Sequence, residues 1–165
     1  MNDHELARKL SRETGTLLIG LRNHAASLSG GEDETHSVLA EEVLGSEGDR
    51  VAHDYLMDQF SIHRPSDVVV SEEGDLEVAR LNATRVWIID PLDGTVNYFY
   101  GLPGWNVSIA AKDKDGSIVG VVTAPTINST WWATRGGGAF YNGHQIHCND
   151  PIALDRSLIA TGFQY

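Results

Sequence analysis

The order of apolar and polar positions predicts two helices at the start of the chain. The first is predicted over residues 3–26, with Asp3 as its N-cap. Its apolar stripe consists of Leu6, Leu10, Leu17, Leu18 and Leu21. Residues 27–37 are rich in glycine and acidic residues, a composition typical of a loop. A second apolar stripe predicts another helix that starts near Asp49 and closes before Pro65.

After this point the pattern changes to short runs of β-branched and aromatic residues. We predict strands over residues 68–70, 86–89, 107–111, 118–122, 130–134 and 139–141, and one more that begins over 157–160. Residues 86–89 (VWII) are wholly apolar, which predicts a strand buried on both faces. Residues 112–116 and the pair Asn142-Gly143 are hairpin turn signals. The adjacent rings of Trp131 and Trp132 would lie on opposite faces of their strand.

Two helices followed by hairpin-connected strands favour an α+β fold, with the helices packed on a mainly antiparallel sheet. A Rossmann fold is excluded because its strands alternate with helices. The 165 residues are 41% hydrophobic, enough for the core of one domain.

The composition narrows the choice of partners and compartment. The net charge of −11 excludes a general nucleic-acid binder, but not a phosphorylated substrate held through divalent cations. Cys148 is the single cysteine, so no intrachain disulfide forms, and we expect a buried or inert thiol. No segment approaches the roughly 18 apolar residues of a membrane span and no signal peptide is evident, so we expect a cytoplasmic protein without a membrane partner. The scattered histidines, His144 and His147 included, are interpreted as surface residues rather than zinc ligands.

Candidate chemistry concentrates in residues 87–98, WIIDPLDGTVNY. The apolar strand ends in Asp90 and Asp93, whose carboxylates suit a hard cation such as magnesium. Pro91 keeps Asp90 extended, and Gly94 permits a tight turn or a close backbone approach. A solvated turn with side-chain-to-backbone hydrogen bonds is the plain alternative from these residues alone.

The motif resembles that of the inositol monophosphatase family, in which an acidic pair precedes D-P-[LI]-D-G-T-x-N-[FY]. Here residues 71–74 (SEEG) and 87–98 carry the likeness, and residues 107–110, 120–122 and 136–143 are also similar to the family. The resemblance implies Mg²⁺-dependent, lithium-sensitive hydrolysis of a small phosphorylated metabolite. It also implies a homodimer.

The resemblance further implies a set of metal ligands. Glu72, Asp90 and the backbone carbonyl of Leu92 would hold the first magnesium ion. Asp90 and Asp93 would hold a second, so that Asp90 bridges the two ions. Two such ions can clamp the attacking and leaving oxygens of a phosphoryl displacement. Glu73 would support its neighbour Glu72.

Catalytic and substrate-binding roles follow from the same resemblance. Thr95 would orient the attacking water, aided by Glu72 and Asp49. Asp93, Gly94 and Thr95 would contact the substrate, with backbone N–H groups on the phosphate. From the residues alone, Asp49 could equally be the N-cap of the second helix.

The sequence departs from the family pattern in two places. It reaches Tyr165 without the W-D-x-[AS]-[AG]-G motif whose aspartate completes the second metal site, so we interpret residues 1–165 as the truncated N-terminal portion of such a domain. Residues 44–50 (LGSEGDR) look like the branch that acts on 3′-phosphoadenosine 5′-phosphate, whereas residues 95–101 look like the inositol branch.

These departures leave alternatives open. Inositol monophosphate is the first expected substrate. A 3′-phosphoadenosine 5′-phosphate or histidinol-phosphate phosphatase is the rival within the family, and an inactive remnant that binds metal without turnover is the rival outside catalysis.

Overall fold

Two long helices precede a seven-stranded sheet in the computed structural model, which describes residues 1–28, 34–72, 83–150 and 152–159. Helix α1 spans Asp3–Leu28, α2 spans Glu34–His63, and a short α3 spans Thr95–Phe99. The strands are β1 (Val68–Ser71), β2 (Val86–Asp93), β3 (Asn106–Asp113), β4 (Gly116–Ala124), β5 (Ser129–Thr134), β6 (Gly138–Tyr141) and β7 (His144–Ile146). The predicted α+β class is confirmed.

The strands lie side by side in chain order, from β1 at one edge to β7 at the other. Only β1 and β2 are parallel, and every other neighbouring pair is antiparallel. The register of β2 on β3 shifts between Asp90 and Asp93, where Pro91 cannot donate a ladder hydrogen bond. The chain thus leaves regular pairing at its acidic motif.

One face of the sheet is buried under the helices. The core there joins residues of α1 and α2 to alternate residues of the strands: Leu6, Leu10, Leu18, Leu56, Phe60, Trp87, Ile89, Val107, Ile109 and Val121. On the other face Ile88 is 45% and Trp131 37% exposed. The prediction that residues 86–89 are buried on both faces is therefore wrong for Ile88, because the described residues cover only one side of β2. The prediction that Trp131 and Trp132 lie on opposite faces agrees with Trp132 packing against the core.

The start of α1 differs from the prediction in its cap. Asn2 is the capping residue, because its Oδ1 accepts the Glu5 N–H at 2.9 Å and Glu5 Oε2 accepts the Asn2 N–H at 3.1 Å. Asp3 lies inside the helix and pairs instead with Arg64 and Arg85. Of the predicted apolar stripe, Leu17 is exposed.

Helix α2 begins at Glu34, fifteen residues before the start predicted near Asp49. Gly45 and Gly48, which precede the predicted start, lie within the helix and face α3. A Cβ at Gly48 would come within 2.8 Å of the Tyr98 ring, and one at Gly45 within 3.3 Å of Thr95. Close packing therefore outweighs the low helix propensity of glycine. Residues 29–33 of the predicted loop lie outside the described residues.

The hairpin predictions are confirmed, and the last strand prediction is not. Asn142 and Gly143 both adopt positive φ, of 46° and 87°, in the two-residue turn between β6 and β7. Residues 157–159 form no strand but follow a 3-10 turn at Leu154–Arg156, and Ala160 lies outside the described residues.

Within the described ranges, none of the helices combines the length and the apolar character that a membrane crossing requires. Cys148 is exposed, so a buried thiol is wrong for this residue, and His144 and His147 are exposed as predicted.

The close contact between α2 and α3 predicts opposite effects of two glycine substitutions. Gly48→Ala forces a methyl group against Tyr98 and Leu92, and overpacking of this kind costs about 1–3 kcal/mol. Gly20→Ala is the matched control in α1, because its Cβ would meet nothing within 4 Å and alanine is the better helix former by about 1 kcal/mol. Urea unfolding followed by circular dichroism should show a lower midpoint for Gly48→Ala and a higher one for Gly20→Ala. A Gly48→Ala midpoint at or above that of the wild type would contradict the packing described.

Candidate functional site

The ends of β1 and β2 bring two carboxylates together. These strands are parallel, and the last pair in their register is Ser71 with Ile89. The Glu72 N–H then donates to the Ile89 carbonyl at 3.2 Å, so Glu72 follows the end of β1 beside Asp90, which lies within β2. Asp90 follows the buried Ile89 within β2, so its side chain points away from the helices, because side chains alternate along a strand.

The pKa of Asp90 is raised by its surroundings, which include the neighbouring acidic groups of Glu72 and Asp93. Burial, a hydrogen bond with Glu72 and the negative charges of Glu72 and Asp93 together raise the pKa of this half-buried carboxyl to about 7. The Leu92 N–H, which donates to Asp90, opposes this rise. The site therefore holds more negative charge than its own hydrogen bonds neutralise, a condition that a proton or a cation relieves.

Gly94 makes the turn that follows β2. Its φ of 85° lies in the left-handed region, and a Cβ there would stand 2.9 Å from the Gly104 carbonyl oxygen and 3.2 Å from Trp105 Cα. Only glycine fits both constraints. The turn directs the chain into α3, and the Asn97 amide donates to the same Gly104 carbonyl at 3.0 Å.

A second polar pair lies between α2 and α3. The Thr95 hydroxyl lies 3.4 Å from Asp49 Oδ1 and 3.0 Å from the Leu92 carbonyl oxygen. One hydroxyl has one proton, so the two acceptors compete for it. Asp49 lies in the middle of α2, so the alternative of a helix N-cap is wrong.

Tyr98 fixes α3 against both long helices. Its ring is fully buried, its hydroxyl donates to the Leu18 carbonyl of α1 at 2.9 Å, and it packs edge-on against Trp105. Burial and the nearby charge of Asp49 raise its pKa to about 12, while Arg22 lowers it. The phenol therefore stays a neutral donor and holds Thr95 at a constant distance from α2.

The predicted residues meet in two pairs. Glu72 joins Asp90, and Asp49 joins Thr95, with the Leu92 carbonyl beside Thr95. The donors are all oxygen, the type that hard divalent cations select. In the described part of the chain, however, no three Asp, Glu, His or Cys side chains gather closely enough to surround a metal ion. The full ligand set with Asp93 remains a prediction, and Glu73 lies outside the described residues.

Sequence reasoning missed one contact of this site. His53 Nδ1 lies 2.9 Å from the hydroxyl of Ser71, the residue before Glu72. The available signal was spacing, because His53 follows Asp49 by four residues and such residues share a helix face.

Comparison with known proteins identifies relatives over most of the chain. The sequence model of the inositol monophosphatase family matches residues 4–165. A fructose-1,6-bisphosphatase/inositol-1-monophosphatase of Thermotoga maritima is 32% identical over 98% of this chain and 59% of its own. The Nus factor SuhB of Escherichia coli (strain K12) is 37% identical over 71% of this chain and 43% of its own.

A solved structure agrees with the sequence relatives. The extragenic suppressor protein suhB of Bartonella henselae superposes with a TM-score of 0.69 at 26% identity, over 86% of this chain and 51% of its own. The chain spans about half the length of the curated relatives it matches.

The raised pKa of Asp90 predicts how stability depends on pH without metal. The folded chain keeps this proton up to a pKa of about 7, whereas unfolding returns the carboxyl to its ordinary value of 3.8. The folded state therefore binds more protons between these values, and the free energy of unfolding falls as the pH rises through them. Asp90→Asn removes this term, so its stability relative to the wild type should increase with pH.

Urea unfolding in EDTA at a series of pH values measures this difference. Asp58→Asn, at an exposed position of α2, is the control and should follow the wild-type profile. Parallel profiles for wild type and Asp90→Asn would show that Asp90 is not perturbed.

Proposed function

Since this chain belongs to the inositol monophosphatase family, we propose that it hydrolyses a small phosphate monoester in a magnesium-dependent reaction. The observation that carries the proposal is the Glu72–Asp90 pair, where β1 ends beside β2. Leu92 links this pair to the Asp49–Thr95 pair, since its N–H donates to Asp90 and its carbonyl accepts from the Thr95 hydroxyl. Two carboxylates that can bind a cation are thus connected to a hydroxyl–carboxylate pair that can transfer a proton.

Magnesium fits the donor chemistry of the site. Glu72, Asp90, Asp93 and the Leu92 carbonyl are the oxygen donors that would hold it. When bound, the ion neutralises phosphate charge and activates water. The raised pKa of Asp90 supports the assignment, because a carboxyl that is reluctant to ionise among its neighbours gains from a cation.

Thr95 and Asp49 would position and deprotonate the attacking water. With its proton donated to Asp49, the Thr95 oxygen presents a lone pair that can accept a hydrogen bond from water. As the water attacks phosphorus, its proton would pass to the Thr95 oxygen while the Thr95 hydroxyl proton passes to Asp49, with Glu72 assisting from the end of β1. The fixed position of α3 maintains this geometry.

The turn at Gly94 would receive the phosphate. Its missing side chain allows an anion to approach the backbone N–H groups of Gly94 and Thr95, and Asp93 would contact the rest of the substrate. Inositol monophosphate is the first proposed substrate, since the Thermotoga maritima relative carries that activity in its name. 3′-Phosphoadenosine 5′-phosphate and histidinol phosphate are the alternatives, and lithium inhibition, a homodimer and a cytoplasmic location complete the proposal.

Metal binding without turnover is the second candidate. It is favoured by one observation, namely that the described residues gather two rather than three metal-binding carboxylates. Phosphate release distinguishes the two functions.

Phosphate release by the purified chain tests the main proposal. We expect release from inositol monophosphate with Mg²⁺ and none in EDTA, and slower release from 3′-phosphoadenosine 5′-phosphate and histidinol phosphate. Asp90→Asn and Asp93→Asn should each abolish it while the circular dichroism spectrum stays unchanged, and Asp58→Asn should retain it. Wild-type turnover by either site variant would refute the assignment. Magnesium binding without phosphate release by the wild type would favour the second candidate.

Two substitutions at Thr95 distinguish the effect of its hydroxyl on the rate constant from the effect of the rest of the side chain. Thr95→Ala removes the group that positions the water, and loss of such proton handling lowers the rate constant by roughly 10²- to 10⁴-fold. Thr95→Ser keeps the hydroxyl and should stay within about tenfold of the wild type. Steady-state kinetics with saturating Mg²⁺ make the comparison. Equal rate constants for Thr95→Ala and Thr95→Ser would exclude the hydroxyl from the reaction.

A further inference from the structure

Strand β1 is poorly secured by the sheet alone. It has four residues and, among the strands that the structure describes, lies at the sheet edge and pairs only with β2. Its last interstrand bond, from the Glu72 N–H to the Ile89 carbonyl, is 3.2 Å long. The terminal interstrand hydrogen bonds of short edge strands break readily. Because Glu72 lies at this end, its distance from Asp90 depends on whatever else holds the end of β1.

Helix α2 supplies that support through His53. Ser71 is only 4% exposed, and a buried hydroxyl requires a hydrogen-bond partner. His53 Nδ1 provides it at 2.9 Å, with the direction of donation set by the ring tautomer. The bond crosses from the helix layer to the sheet and ends one residue before Glu72.

The same face of α2 reaches both halves of the site. Asp49 and His53 are four residues apart, one helical turn, and therefore project from one side of the helix. Asp49 contacts Thr95 after β2, and His53 contacts Ser71 at the end of β1. One rigid element thus sets the position of both acidic strand ends.

We propose that His53 is a positioning residue that, through Ser71, holds Glu72 beside Asp90 for metal binding. The inference rests on the proposed function of this site and adds a residue outside the predicted set of ligands and catalytic groups. His53 touches neither substrate nor metal, and its effect passes entirely through the Ser71 hydroxyl.

Substitutions can remove this bond or keep it. His53→Leu and Ser71→Ala each delete one partner. His53→Asn keeps a polar atom attached to Cγ, where the imidazole carries Nδ1, so it can restore the bond. His24→Leu and Ser61→Ala are matched controls at exposed positions of α1 and α2.

Mn²⁺ titration followed by the electron paramagnetic resonance of the free ion measures the effect on affinity, since Mn²⁺ accepts the same oxygen ligands as Mg²⁺. We expect His53→Leu and Ser71→Ala to raise the Kd for Mn²⁺ by roughly 10- to 100-fold, the usual cost of losing an orienting hydrogen bond. The double variant should lose no more than either single one, and His53→Asn should stay within about threefold of the wild type. Urea unfolding in EDTA gives the stability of each variant separately.

Three results would overturn the inference while leaving the proposed function intact: an unchanged Kd in His53→Leu, additive losses in the double variant, or a His53→Asn variant as weak as His53→Leu. A wild-type chain that binds no Mn²⁺ at millimolar concentration would overturn both the proposed function and the role of His53.

Discussion

Two carboxyl groups that lie side by side on parallel strands repel each other when both are charged, unless a positive charge lies between them. Glu72 and Asp90 are in this situation because the register of β1 on β2 places the residue after β1 beside Asp90. The pKa of Asp90, raised to about 7, shows that a proton compensates part of the charge in the chain alone. A divalent cation would neutralise more of this negative charge. The geometry that disfavours two ionised carboxylates therefore favours metal binding.

Helix α2 determines whether this geometry is kept. It contacts the segment after β2 through Asp49 and the end of β1 through His53, and its glycines let α3 approach closely. Tyr98 fastens α3 to α1 from the other side. The acidic strand ends are consequently held by packing and hydrogen bonds that do not themselves involve the acidic groups, which allows the site to carry unfavourable charge without losing its shape.

How far the sequence could predict this arrangement depends on the range of each interaction. Local signals worked: the spacing of leucines gave the extent of α1, and Asn142-Gly143 gave a turn that needs two positive φ angles. The predictions that were wrong concern residues whose contacts are distant in sequence. The position of Gly48 inside α2 was not predicted, because its close packing on Tyr98 exists only in the folded chain. The candidate acidic residues were identified through a motif, but no pattern of spacing specifies the 3.4 Å between Asp49 and Thr95.

The position of Asp49 along α2 has a mechanical consequence. Thirty helical residues form a rod about 45 Å long, and Asp49 lies near its middle. If α2 tilts by about 5° around that point, its ends move by roughly 2 Å while the middle hardly moves. The Asp49 carboxylate, which faces Thr95, lies at the centre of such a tilt. Such a tilt would displace the ends of the helix and would leave the distance between the Asp49 carboxylate and the Thr95 hydroxyl almost constant.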